Sequence, residues 1–143
     1  MTKKVKGFSP VRKFKYDDKA LNEGTWVEIE DGAAKLLIAR FNNEAHAEYL
    51  RKERAKNTKL LEDDSSAESQ KLLRDLGNRA MAKFVLKGWE GILDEDGESE
   101  LPYSEEAAFK LLDELEDFSN LVFSLSMEAS RYRMYEEGRA VKN

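Results

Sequence analysis

The feature that most limits the fold of this chain is a pair of extended runs on either side of an Asp-Gly dipeptide. Apolar and polar side chains alternate over residues 25–30, Asp31-Gly32 follows, and a second extended run covers residues 34–41. Gly tolerates the positive φ that a two-residue type I′ turn requires, so the pattern predicts a β-hairpin with its turn at Asp31-Gly32. Because an isolated hairpin is only marginally stable, a third strand or a helix must cover it. Residues 5–8 can supply such a strand.

The rest of the chain is predicted to be helical, because apolar side chains recur there every three or four residues. The expected helices run over residues 44–61, from about 72 to 87, from 104 to a break near 117, and from 118 to about 137. The second is the clearest, since every fourth residue from Leu72 to Phe84 is apolar. Asn43, Ser104 and Gly138 are suitable residues for the ends of these helices.

Length and composition fit a single domain that can bury a small core. The chain has 143 residues, of which 41% are hydrophobic and 37% are charged. We therefore predict one domain over residues 1–143, with the β-hairpin in residues 1–43 and the helices in residues 44–143. The predicted fold class is mainly α with a small N-terminal β-hairpin (α+β), in which about four helices form a bundle.

The composition removes most catalytic chemistry. The chain has no Cys and one His, His46, so thiolate nucleophiles, disulfides, cysteine zinc sites and multi-His metal centres are excluded. No Gly-rich phosphate loop is present, and no Ser motif accompanies His46, which we expect to face solvent. No apolar run approaches the roughly 20 residues of a membrane span. We predict a cytoplasmic binding protein that is not an enzyme, with no catalytic residue, no cofactor, no metal and no membrane contact.

Charge is distributed unevenly along the chain. Residues 1–19 hold seven Lys and Arg against two Asp, whereas residues 94–117 hold eleven Asp and Glu against one Lys. A basic end can bind nucleic acid, but the net charge of −5 and the lack of a base-reading motif argue against it. The two oppositely charged segments can instead attract each other, or both can be solvated. The acidic segment has part of an EF-hand spacing, but Ser99 and Pro102 occupy critical positions, so we expect no calcium site.

Residues 84–118 form a recognisable unit. A predicted helix leads into Trp-Glu-Gly-Ile at residues 89–92, an acidic turn follows, and Leu-Pro-Tyr-Ser at residues 101–104 opens the next helix. This unit, about a quarter of the chain, resembles the tail assembly chaperones of bacteriophages with long, non-contractile tails. Physically, we expect Trp89 to end a helix and Tyr103 to return to the same apolar cluster after the acidic turn.

The resemblance implies a non-catalytic protein of the host cytoplasm that is absent from the mature virion. Its implied partners are the tape measure protein, which it would keep soluble, and the tail tube protein, which it would help to recruit. The resemblance also implies a longer form made by ribosomal frameshifting near the end of this chain. Two alternatives stay open: a structural head–tail or tail completion protein of the virion, and a regulatory or calcium-responsive binder.

The last predicted helix supplies the candidate partner-binding residues, because it is apolar on two sides. These residues are Phe118, Val122, Phe123, Met127 and Met134. A helix that is apolar on two sides lies deep in a bundle or presents one face to a partner. We expect self-association through Phe123, Met127 and Met134, and no binding of nucleic acid.

Overall fold

The computed structural model describes residues 5–135. Its centre is an antiparallel sheet in the order β1-β2-β3, formed by β1 (Thr25–Ile29), β2 (Ala34–Ile38) and β3 (Leu86–Glu90). The helices are α1 (Pro10–Phe14), α2 (Asp18–Glu23), α3 (Glu44–Lys56), α4 (Thr58–Leu61), α5 (Ala67–Phe84), α6 (Glu105–Glu114) and α7 (Glu116–Ser126). Short 3-10 turns occupy Glu30–Gly32 and Ala129–Arg131.

The predicted fold class, a small N-terminal hairpin with a bundle of about four helices, is wrong. The described residues contain seven helices, and the sheet has three strands that are spread through the chain. The third strand is not residues 5–8, which form no strand, but β3, which follows α5 directly. The helix ends at Phe84 because Leu86 and Trp89 are buried on a strand that pairs with the free edge of β2. Tertiary pairing thus overrides the local helical pattern.

The hairpin of β1 and β2 forms, but its turn differs from the predicted one. The strands pair from Thr25↔Ile38 to Ile29↔Ala34, which leaves a four-residue loop rather than a two-residue type I′ turn. Glu30, Asp31 and Gly32 all have positive φ, at 52°, 56° and 88°. The loop closes by a hydrogen bond from the N–H of Ala33 to the carbonyl of Glu30 (3.0 Å).

The helix predicted to reach residue 137 ends at Ser126, and its expected stop at Gly138 lies outside the described residues. After α7 the chain turns back toward the sheet. There the buried Tyr132 donates its hydroxyl hydrogen to the carbonyl of Ile38 (3.1 Å), and the N–H of Asp17 bonds to the carbonyl of Tyr132 (2.8 Å). Burying this large side chain under β2 requires the helix to stop earlier than its apolar pattern indicates.

The other predicted helix boundaries are partly right. Asn43 and Ser104 cap α3 and α6, accepting hydrogen bonds from the N–H groups of His46 (3.0 Å) and Ala107 (3.0 Å). The helix expected over residues 44–61 is divided at Asn57 into α3 and α4, and α5 begins earlier than expected, at Ala67.

The core lies between one face of the sheet and helices α5, α6 and α7. Its buried side chains are Val27, Leu36, Ile38, Met81, Ala82, Val85, Leu86, Trp89, Ala108, Leu112, Val122 and Leu125. Trp89 and Tyr103 meet in this cluster as expected, with ring centroids 5.0 Å apart. Trp89 lies on β3, however, and does not end a helix. The core therefore uses the unit at residues 84–118 as a strand, a turn and a helix.

Candidate binding groove

A groove of about 540 Å³ opens beside the end of β2, between α2 and the end of α7. Its lining residues are Tyr16, Asp18, Leu21, Asn22, Arg40, Phe41, Asn42, Asn43, Glu44 and Met127. Leu21, Phe41 and Met127 give it an apolar surface. The carboxylates of Asp18 and Glu44 lie on exposed residues of the same lining.

The groove is positioned by the three residues that follow β2. Their successive N–H groups bond to three separate parts of the chain: Ala39 to the carbonyl of Val85 (2.8 Å), Arg40 to that of Leu21 (3.0 Å), and Phe41 to that of Ser126 (3.2 Å). Each bond satisfies a backbone donor away from the sheet ladder. The segment therefore ties α2, the end of α5 and the end of α7 together and holds Phe41 in the groove.

His46 packs against this segment. Its predicted exposure to solvent is wrong. Its side chain is buried, with 1% of its surface exposed, and its ring centroid lies 4.7 Å from that of Phe41. Nδ1 accepts a hydrogen bond from the N–H of Asn42 (3.1 Å), whose φ of 64° is in the left-handed region. Burial lowers the pKa of His46, which favours the neutral imidazole that this acceptor role requires.

Aromatic rings surround a positive charge at one end of the groove. The guanidinium carbon of Arg40 lies 5.0 Å from the ring centroid of Tyr16 and 5.8 Å from that of Tyr132. Hydrogen bonding and charge from Arg40, together with the charge of Arg133, lower the pKa of Tyr16. None of these residues could be identified from the sequence, because Tyr16 and Arg133 become neighbours only through an isolated β-bridge between distant segments.

The structure brings two of the five candidate partner-binding residues to this groove. Met127 lines it, and Phe123 packs edge-on against Phe41 with centroids 4.9 Å apart. Both are substantially exposed, at 44% and 43%. Phe41, which joins them, was not identified from the sequence.

The other three candidates lie elsewhere. Val122 is fully buried in the core, and Phe118 packs against the core from a partly buried position. Met134 is partly buried, and its N–H bonds to the carbonyl of Lys15 (2.9 Å). A partner that approaches α7 from solvent therefore meets Phe123 and Met127 and not the side facing the core.

The acidic turn after β3 uses its own carboxylates to stabilise its backbone. Asp96 accepts hydrogen bonds from the N–H groups of Glu98 and Ser99 (2.9 Å each) and from the Ser99 hydroxyl (2.6 Å). These bonds lower the pKa of Asp96 to about 2. Within residues 5–135, no group of three or more acidic or histidine side chains is arranged to hold a metal ion. The expectation that calcium does not bind stays a prediction.

Across the described part of the chain, none of the helices combines the length and the apolar character needed to cross a bilayer.

Fold and groove together define a small α+β protein in which helices pack against one face of a three-stranded sheet and a partly apolar groove opens beside the end of β2. Residues 41–143 match the family described as the YdaY prophage protein, and the chain belongs to this family. It is therefore a phage-derived protein. The resemblance to phage tail chaperones had implied this phage origin. No curated protein and no solved structure matches the chain significantly.

Proposed function

We propose that this prophage protein is a non-catalytic tail assembly chaperone of the host cytoplasm that binds the tape measure protein and assists tail tube assembly. The observation that carries the proposal is the apolar surface at the groove, which the exposed Phe123 and Met127 form together with the partly buried Phe41. A long helical tape measure exposes apolar stripes until tube protein surrounds it, and such stripes aggregate. A protein that covers them needs an apolar groove and no reactive group.

The chemistry of the groove suits a helix with mixed side chains. Leu21, Phe41 and Met127 offer apolar contact, and the flexible thioether of Met127 adapts to side chains of different shape. Asp18 and Glu44 can pair with basic residues that flank an apolar stripe. Arg40, which also lines the groove, can pair with an acidic residue of the helix.

The resemblance at residues 84–118 supports the proposed class of protein and not the location of its binding site. In the structure, Trp89 donates its indole N–H to the carbonyl of Leu101 (2.7 Å), and Tyr103 donates its hydroxyl hydrogen to that of Leu86 (2.7 Å). These groups are occupied in holding the core together. We therefore assign partner binding to the groove.

The test uses the full chain and synthetic peptides that cover the apolar helical stripes of the tape measure protein encoded by the same prophage. Titration calorimetry should detect binding of at least one peptide. The double variant Phe123→Ser/Met127→Ser should weaken that binding at least about tenfold, which corresponds to about 1.4 kcal/mol. Leu121→Ser is the matched control, because Leu121 is similarly exposed (37%) on α7 but lies on a different side of the helix from Phe123.

Two results would contradict the proposal. One is the failure of every peptide to bind, and the other is equal binding by the double variant and the wild type. The location of the protein is a separate measurement. Mass spectrometry of purified phage particles should not find the chain in stoichiometric amounts, and finding it there would favour the alternative of a structural head–tail or tail completion protein.

A further inference from the structure

The N-terminal part of the described chain forms an exposed segment that is both basic and apolar. We call residues 5–15 the arm. Its exposed apolar side chains are Val5, Phe8, Val11 and Phe14, which expose between 52% and 82% of their surface. Its basic residues are Lys6, Arg12, Lys13 and Lys15. Exposed apolar side chains in such a concentration are typical of an interaction surface.

The arm is held in place at one end of the sheet. The carbonyl of Lys15 accepts a hydrogen bond from the N–H of Met134 (2.9 Å), and the guanidinium of Arg12 lies 4.8 Å from the ring centroid of Tyr135. Within the described residues, none of the arm's basic side chains forms an ion pair with a carboxylate. The arm therefore presents positive charge and apolar surface to solvent together.

A surface of complementary character lies after β3, and we call it the acidic cleft. It has a volume of about 310 Å³, and its lining residues are Trp89, Glu90, Gly91, Ile92, Glu100, Leu101, Pro102 and Tyr103. The acidic turn beside it adds Asp94, Glu95, Asp96 and Glu98. Glu90 pairs with Lys35 (3.6 Å), but in the part of the chain that the structure describes the carboxylates of Glu95, Glu98 and Glu100 have no basic partner.

The arm and the acidic cleft of one chain lie at opposite ends of β2. The arm is anchored next to Tyr132, which bonds to Ile38 at the last residue of the strand. The cleft contains Gly91, which lies against Ala34 at the first residue of the strand. A strand rises about 3.3 Å per residue, so these two ends are about 13 Å apart. None of the residues that line the cleft belongs to the arm of the same chain.

We propose that the arm of one copy docks in the acidic cleft of a second copy. Charge complementarity supports this occupant, because the basic residues of the arm would meet carboxylates that have no basic partner among residues 5–135. Exposed ion pairs alone contribute little, so burial of an arm side chain such as Phe8 against Leu101 and Pro102 would supply the rest of the binding energy. Two different surfaces meet in such a contact, so association is not limited to a dimer. The proposal is independent of tape measure binding and leaves the groove open.

Sedimentation velocity of the full-length chain tests this proposal. At low ionic strength, about 50 mM, the weight-average mass should rise with protein concentration above that of the monomer. At about 500 mM salt the association should weaken, because screening shortens the range of the attraction between the arm and the cleft. A monomer at every concentration in low salt would overturn the proposal.

Charge-reversal variants give the sharper test. An arm variant carries Lys6→Glu, Arg12→Glu and Lys13→Glu, and a cleft variant carries Glu95→Lys, Glu98→Lys and Glu100→Lys. Each alone should be monomeric, because the arm variant has a net negative arm and the cleft variant no longer has a net negative cleft. An equimolar mixture should associate again, since each variant supplies the complement of the other. The control Lys52→Glu/Lys56→Glu/Lys59→Glu is matched to the arm variant. It changes the net charge by the same amount, but on α3 and α4, and should associate like the wild type.

All variant positions are exposed, so each variant should remain folded, which circular dichroism checks. Failure of the mixture to restore association would overturn the proposal. So would association that survives both reversals and disappears only in Phe123→Ser/Met127→Ser, since the interface would then be the surface predicted from the sequence. Loss of nucleic-acid binding in the arm variant, with its self-association unchanged, would show that the arm serves a polyanion instead.

Discussion

At both ends of β2 an aromatic side chain closes the core by donating a hydrogen bond to a main-chain carbonyl. Trp89, which pairs with Leu36 in the middle of β2, bonds toward the start of the strand to Leu101, which is 12 residues away in the sequence. Near its end, Tyr132 bonds to Ile38, which is 94 residues away. The two ends perform the same structural task with contacts of very different range along the chain.

The difference in range has a thermodynamic consequence. The entropic cost of closing a loop rises by about 0.6 kcal/mol for each doubling of its length. The Tyr132 contact spans about three doublings more than the Trp89 contact, so closing it costs about 2 kcal/mol more. We therefore expect the Trp89 end to form early in folding and the Tyr132 end to form late.

The largest expected effect is that of Trp89→Ala. Removing a buried Trp side chain should lower the free energy of unfolding by about 3–5 kcal/mol. If the Trp89 end forms early, most of this loss should appear as slower folding. Tyr132→Ala should destabilise by a comparable amount but mainly through faster unfolding. Stopped-flow folding and unfolding rates in urea separate the two cases, and the reverse pattern would refute the proposed order.

Gly91→Ala probes how closely the Trp89 end packs against the hairpin. Gly91 has a φ of +80°, and an added Cβ would lie 2.5 Å from the carbonyl oxygen of Ala33 and 3.0 Å from the Cα of Ala34. Both are backbone atoms of the hairpin, so they cannot move aside cheaply. We expect Gly91→Ala to lower the free energy of unfolding by about 3 kcal/mol or more, because backbone strain and overpacking act together.

Gly97→Ala is the control for this substitution. Gly97 has a similar φ of +73°, but an added Cβ would meet no atom within 4 Å. Gly97→Ala should therefore lower the free energy of unfolding by about 1–2 kcal/mol, which is the cost of the left-handed conformation alone. Urea denaturation of both variants measures the difference, and equal losses would show that the hairpin yields to the added methyl group.

The same contrast in range explains what the sequence could predict of the fold. The caps at Asn43 and Ser104 and the meeting of Trp89 with Tyr103 depend on residues close together in the chain, and they were predicted correctly. The strand β3 was missed because its first residues, Leu86 and Lys87, were assigned to the end of the preceding helix, whereas pairing with β2 makes the segment extended. Nothing local indicates that Tyr132 lies under Ile38, so the end of α7 was also misplaced.

The candidate groove shows the same limit. Apolar residues lie on two sides of the predicted last helix, and this pattern identified Phe123 and Met127 as candidates for partner binding. It could not distinguish them from Val122, because the side that faces the core depends on the packing of other elements. Phe41 joins the groove because its N–H bonds to Ser126, a contact across 85 residues. The burial of His46 was missed because its helix is otherwise polar and its burial depends on the turn at Asn42.

Tyr132→Phe removes only the hydroxyl group at the long-range end. The loss should be about 1–2 kcal/mol, because the buried carbonyl of Ile38 loses a donor. Burial raises the pKa of Tyr132 from 10.0 to about 12. Between these values the unfolded chain releases this proton and the folded chain retains it, so the stability of the wild type falls as pH rises from about 10 to 12.

Tyr132→Phe lacks the hydroxyl group whose titration makes the stability of the wild type fall at alkaline pH. Its disadvantage relative to the wild type should therefore shrink with rising pH in urea denaturation at about pH 8 and about pH 11. The exposed Tyr135→Phe is the control and should leave the profile of the wild type unchanged. A constant difference between Tyr132→Phe and the wild type would mean that the hydroxyl of Tyr132 does not titrate in this range.

The smallest expected effect concerns His46, which holds the turn next to the Tyr132 end. Its pKa is lowered from 6.5 by burial, so the unfolded chain takes up a proton before the folded chain does. The contribution of His46 to stability is therefore complete above about pH 6.5 and is lost as pH falls toward its lowered pKa.

His46 is the only histidine in the chain, so its imidazole proton resonance can be followed directly by NMR. The titration midpoint should lie below 6.5 in the folded protein and near 6.5 in urea. His46→Gln should flatten the stability profile below about pH 6.5. An NMR midpoint at or above 6.5 would show that the imidazole is solvated and does not support Asn42.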